Sequence, residues 1–240
     1  MICSENSSGS AFAQKDAVAL VSPIGRANGR PPSGSATPSS QSHSSDASGA
    51  TIGDTSATAP FWANADPEEF SLQITAIVAA HANRVAAHDA AVGAHPWLGR
   101  ATSRCLKALD GLEQAPSAYT LSFAIQLLDA VYERVDKAPE RLAHLAAYVP
   151  DDGRLPVAGG LPDEALRPVD FAPDPGRPAR DLLSDAVVAA DLERLAGEQR
   201  ADGGWAVDFE SYSPAAALEW RGYATVRVLS LLRRNGLLDA

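Results

Sequence analysis

Thirty-nine of the first 60 residues are Ser, Gly, Ala, Pro or Thr, and Phe12 is the only aromatic among them. A segment of that composition lacks the apolar surface that would offset the entropy of ordering its backbone. Residues 1–60 are therefore expected to be a disordered low-complexity tail. Residues 61–240, one domain's length, are expected to hold the core. So abrupt a change near residue 60 is also what a misplaced start of the coding region would produce.

Charge and cysteine usage narrow the setting. The tail carries three basic and four acidic side chains, so it takes −1 of the formal charge of −10 and residues 61–240 take the remaining −9. A surface that acidic repels phosphate backbones, which argues against nucleic acid as a partner. Cys3 and Cys105, the only cysteines, form neither a disulfide framework nor a metal-ligand pair. No apolar run of secretory-signal length follows a basic stretch at the N-terminus. Nor does any stretch approach the ~20 apolar residues of a membrane span. The expectation is a soluble cytoplasmic protein with no membrane span. Arg outnumbers Lys 17 to 3, as in a high-GC bacterial genome.

Apolar spacing predicts helices throughout the domain. Asp66-Pro67-Glu68-Glu69 has the form of a helix start, with a capping Asp, Pro at the first helical position and acids in the first turn. Ile74, Ile77, Val78 and Val85 follow at helical spacing, and Gly93 closes the segment. A second helix opens at Pro96 with Leu98, Thr102, Cys105, Leu106 and Leu109 on one stripe, and a third runs from Ser117 through Val135. The third is apolar except for a narrow polar line of Ser122, Gln126, Asp129 and Glu133, which predicts a helix sandwiched between neighbours. A fourth starts at Pro139 and buries Leu142, Leu145, Ala146 and Val149. Seven prolines in residues 150–178 then exclude a persistent helix or interior strand, leaving a packed crossover or a lid. A fifth helix carries Val188, Leu192 and Leu195 with Gln199 on the same stripe, and a sixth runs from Ser213-Pro214 to Arg233-Arg234-Asn235-Gly236. The predicted fold is all-α, built from helical hairpins.

One motif has specificity: Gln199-Arg200-Ala201-Asp202-Gly203-Gly204-Trp205, between the fifth and sixth helices. Asp-Gly-Gly forces a tight turn, because glycine admits backbone angles that other residues avoid. Gln199 is expected to end one helix on its buried side, where its amide can bond N–H groups at a nearby helix start while the Trp205 indole packs over it. The motif resembles the Gln-Trp repeat of the squalene cyclase and protein prenyltransferase superfamily, whose fold is a barrel of paired helices, the α/α toroid. Gln199, Gly203 and Trp205 match, as does Leu195 at the aliphatic position; Arg194 stands where the repeat has an aromatic. The stretch Leu218-Glu219-Trp220-Arg221-Gly222-Tyr223-Ala224-Thr225 is similar to the inner helix that follows such a repeat. The resemblance covers residues 181–238, and His95-Pro96-Trp97-Leu98 with the block 181–236 is also similar to bacterial proteins that carry the repeat.

That resemblance implies a partial or degenerate toroid, and an apolar, isoprenoid-type ligand in an aromatic-lined cavity, with Trp97, Trp220 and Tyr223 as candidates to line it. Asp208, Glu219 and Arg221 are the candidates for catalysis, as charges a toroid would turn toward its cavity; ion pairing is the competing reading. The chemistry of the family is not legible here. There is no Asp-x-Asp-Asp to protonate an alkene, and no Asp-Asp-x-x-Asp to hold magnesium and diphosphate. Cys105 lies on an apolar stripe, where packing competes with zinc ligation. His81 and His88, seven residues apart, are about 10 Å apart along a helix and cannot share a metal unaided, and His95 precedes a helix start. No metal or cofactor is expected. The alternative function is a non-catalytic helical structural or interaction module that keeps only the repeat. Six helices make half of a closed toroid, which would expose the apolar helix 117–135. That predicts self-association or a partner protein.

Overall fold

The computed structural model of the chain describes residues 70–207 and 213–238, and in them helices begin where capping residues stand. α1 (Leu72–Val85) is followed by the short α2 (Ala90–Ala94), then α3 (Pro96–Asp110), α4 (Ala118–Val131) and α5 (Ala138–Ala146). A crossover contains β1 (Leu155–Pro156), β2 (Ala165–Leu166), the single turn α6 (Pro168–Phe171) and a 3₁₀ helix (Pro178–Leu182). It leads to α7 (Asp185–Gly197) and α8 (Pro214–Arg234). The fold is all-α. Its two short strands, antiparallel with Leu155 opposite Leu166, are the only β structure among the described residues.

The caps at Ser117 and Ser213 are those the sequence suggests, and Ser184 is a third, not among those predicted. The hydroxyls of Ser117, Ser184 and Ser213 accept from the N–H three residues on, at Thr120, Val187 and Ala216. His95 Nδ1 accepts from the Trp97 N–H, so this histidine is a helix cap. Both other candidate histidines are exposed, His81 on α1 and His88 in the turn after it. The start at Asp66–Glu69 and the tail 1–60 lie outside the described residues. Within them the first helix ends at Val85 instead of continuing to Gly93. Asp89 restarts the chain as α2 by accepting from the Ala91 and Val92 N–H groups.

α4 is the axis of the domain. Ten of its fourteen residues are buried, from Ala118 to Val131, and α1, α5, α6, β2 and the 3₁₀ helix all pack on it. The half-ring expectation of an exposed helix 117–135 is therefore corrected: its apolar surface is already covered within the chain. α1 reaches α4 through small residues. Ala76, Ala79, Ala80 and Asn83 are buried, whereas Ile74, Ile77 and Val78 are half-buried and Val85 is exposed. Small side chains let two helix axes approach closely, so here size outranks hydrophobicity in choosing the contact face.

The polar line on α4 has a use that periodicity alone did not reveal. Ser122 Oγ donates to the Asp170 carbonyl at 2.6 Å, and Gln126 Nε2 donates to the same oxygen at 3.0 Å. Asp129, 2% exposed, accepts from the Ala179 N–H at 3.0 Å and from Arg177 Nε at 3.2 Å. Ser122, Gln126 and Asp129 form the seam on which the proline-rich crossover docks, and their polar atoms satisfy backbone groups that a helix or sheet would otherwise satisfy, whereas Glu133 lies past the end of α4 and is exposed. Val157, Val169, Phe171, Ala172 and Ala179 of the crossover are buried, so it is a packed part of the core rather than a lid. Phe171 is among the largest side chains wholly withdrawn from solvent.

Candidate functional site

The Gln199–Trp205 motif joins α7 to α8 and folds as the turn that Asp-Gly-Gly requires. Gly203 takes φ +80°, and the turn closes through Gly203 N–H to the Arg200 carbonyl and Arg200 N–H to the Gly204 carbonyl. A Cβ on Gly204 would stand 3.1 Å from Thr225 Oγ1, so glycine there lets the turn lie directly on α8. Trp205, 3% exposed, donates its indole N–H to the Leu195 carbonyl at 2.7 Å. Its backbone N–H goes to Thr225 Oγ1 at 3.2 Å. One residue thus bonds the end of α7 and the middle of α8 together.

Gln199 does something different from its expected role. α7 ends at Gly197, and Gln199 is exposed, with Nε2 donating to the Gly203 carbonyl at 3.0 Å. The amide closes its own turn instead of capping a neighbouring helix. The helix stops one stripe position early because Glu198 takes the C-cap, so Gln199 rotates off the buried side. Arg194, at the aromatic position of the repeat, forks between Asp191 Oδ1 and Glu198 Oε2. Asp191 is a buried residue the sequence did not flag; its other oxygen accepts from the Val169 N–H at 3.1 Å and ties α7 to α6.

Of the charged candidates, Arg221 Nη2 pairs with Asp202 Oδ2 at 2.6 Å. Asp202 Oδ1 accepts from the Gly204 N–H at 3.1 Å. The Arg221 bond, with the Gly204 N–H second, holds the Asp202 carboxyl below the usual aspartate range. Glu219 is exposed on α8 and has no ion-pair partner among the described residues. Asp208 lies outside the described residues. The two described candidates therefore do not converge on one point: Arg221 belongs to the turn, and Glu219 faces solvent.

The aromatic candidates divide as well. Trp220 is buried and meets Tyr223 edge to face, ring centres 5.8 Å apart. Trp97 opens α3, whose main packing partner is α1. A cleft of about 360 Å³ lies between the end of α3 and α5. It is lined by Leu109, Asp110, Lys137, Glu140, Arg141 and His144 among others, contains no aromatic residue from the candidate set, and shares no residue with the clasp. Arg141 closes one side with two 2.7 Å bonds to Asp110. Cys105 is wholly buried, and burial pushes its thiol up to about 11, the environment of a packing residue. Among the described residues no group of three His, Cys, Asp or Glu side chains is placed to hold a metal ion. No helix of the described residues is long and apolar enough to cross a membrane. Comparison with known proteins finds no matching family model, curated protein or solved structure.

Proposed function

We propose that residues 61–240 form a helical interaction module in which the Gln199–Trp205 turn serves as a clasp between helices and carries no chemistry of its own. The observation that carries this reading is the division of α8 into two faces. Its inner face buries Ala216, Trp220, Val228, Leu231 and Leu232, and Arg227 pairs with Asp170 and Arg234 with Asp174. Its outer face leaves Leu218 at 66% and Val226 at 65% exposure. A soluble domain that sets aliphatic side chains along one open helix face has the form of a contact surface. The clasp then has a mechanical role: Trp205, Thr225 and the Asp202–Arg221 pair fix the angle at which that face is presented.

Engagement of the motif's polar groups supports the same reading. The Gln199 amide, the Asp202 carboxylate, Nη2 of Arg221 and the Trp205 indole N–H have partners within the turn, α7 or α8, while Nε of Arg221 is buried with no partner among the described residues. In this reading the likeness to the toroid repeat is one of local packing in the hairpin α7–turn–α8. The rival reading, an isoprenoid-type ligand held by Trp97, Trp220 and Tyr223, is tested by thermal unfolding with farnesyl and geranylgeranyl diphosphate. The module reading predicts no shift at any concentration. A stabilisation of several degrees that saturates with ligand would overturn it, because only a ligand that binds the folded state selectively raises the melting temperature in that way.

A further inference from the structure

We propose that the outer face of α8 pairs with the same face of a second copy, the two helices running antiparallel about a two-fold axis at Val226. This rests on the interaction-module reading and names the partner. A two-fold contact brings residue i against residue j of the other copy and j against i, so a suitable face must be complementary to itself. With the axis at Val226, residues equally far before and after it in sequence face each other. Glu219 lies seven positions before and Arg233 seven after; both are exposed, and neither has an ion-pair partner among the described residues. Gly222 and Ser230 lie four before and four after, Tyr223 and Leu229 three before and three after, and all four are exposed. Spacings of three, four and seven keep these residues on the same side of the helix as Val226.

The pairings are chemically matched. Two Glu219–Arg233 ion pairs close the ends, about 21 Å apart along the helix. Gly222 against Ser230 places small residues where the backbones approach, Tyr223 covers Leu229, and Val226 meets its own copy on the axis. A parallel arrangement would set Glu219 against Glu219 and Arg233 against Arg233, so the charges select the antiparallel one. One helix pair covers less than the ~800 Å² per partner of a standard interface, so the dimer is weak and reversible.

The test is sedimentation velocity of the full chain between about 5 and about 500 µM, a range that brackets a dissociation constant of about 50 µM, the weak, reversible regime. The proposal predicts a monomer–dimer equilibrium that Val226→Glu weakens by about tenfold or more. Glu219→Arg and Arg233→Glu should each weaken self-association, yet the two variants mixed should form a heterodimer, and the double variant should recover the native affinity. All these positions are exposed, and circular dichroism checks that each variant is folded. As a second readout in a Cys3→Ser background, Val226→Cys should oxidise to a covalent dimer, whereas Leu218→Cys, whose thiols would lie about 24 Å apart, should not. A monomer at every concentration overturns the pairing, and so does a dimer indifferent to Val226→Glu or a swap without rescue. Stabilisation by an isoprenoid diphosphate overturns the module reading, whatever the sedimentation shows. A monomer with no ligand response overturns the pairing alone.

Discussion

Trp205→Ala is expected to destabilise the domain by about 3–5 kcal/mol. A buried aromatic side chain withdraws about 150–250 Å² from water. At ~25 cal/mol per Å² that is roughly 4–6 kcal/mol, lowered somewhat because the unfolded chain already hides part of that area. The lost indole bond adds no more than about 1 kcal/mol, since the Leu195 carbonyl also accepts from the Glu198 N–H at 3.3 Å and is not left bare. Trp205→Phe separates the two contributions: it keeps most of the apolar contact, removes the donor, and should cost about 1 kcal/mol, the worth of one ordinary hydrogen bond. Urea unfolding followed by circular dichroism measures both. The alanine loss is a large share of the ~5–15 kcal/mol that holds a domain folded, so the phenylalanine variant keeps the comparison readable if alanine unfolds the chain. A cost below ~1 kcal/mol for Trp205→Ala, the scale of surface changes, would refute the clasp.

Asp129→Ala should cost about 3 kcal/mol in the same assay, because it strips a buried carboxylate from the Ala179 N–H and Arg177 and leaves the crossover seam unsatisfied; a near-neutral result would mean the seam does not hold the crossover. In a Cys3→Ser background Cys105 should react with a thiol reagent only as the protein unfolds, its thiol being buried and raised to about 11; fast labelling of folded protein contradicts its placement in the core. The Asp110 and Asp202 carboxyls are held below the usual range by bonds from Arg141 and Arg221. Their contribution is therefore complete above the unfolded aspartate value and lost as pH falls through the lower folded one. The stability difference between the native chain and the Asp110→Asn/Asp202→Asn variant should stay constant from about pH 7 to 5 and shrink below about pH 4; a difference that closes above pH 5 contradicts the assignment.

The parts of this fold legible in sequence are those fixed by local chemistry. Serine caps, the proline at the start of α8 and the all-round apolarity of α4 each state their structural consequence within a few residues. The placement of α4's neighbours was not legible, because it depends on pairs far apart in the chain: Asp129 with Ala179 across 50 residues, and Arg227 with Asp170 across 57. α1 shows a different limit. Its larger Ile and Val residues suggested the contact face, while the close approach to α4 selected Ala76, Ala79 and Ala80. At the motif, the turn and the buried indole could be read from Asp-Gly-Gly-Trp. The Gln199 orientation could not, since it hinges on α7 ending at Gly197 instead of one residue or two later. α8 bears aliphatic residues on both sides, so only its packing reveals which set faces outward.

Native-state hydrogen exchange tests the closed core around α4 most directly. With ten of its fourteen residues buried and packed on by α1, α5, α6, β2 and the 3₁₀ helix, α4 should open only with the whole domain. Its amides from Leu121 to Leu128 are predicted to be the slowest in the protein and to exchange at the rate of global unfolding. Exchange in α4 that is as fast as in α2, and independent of added denaturant, would show a locally opening helix with an uncovered face, and would contradict the closed core.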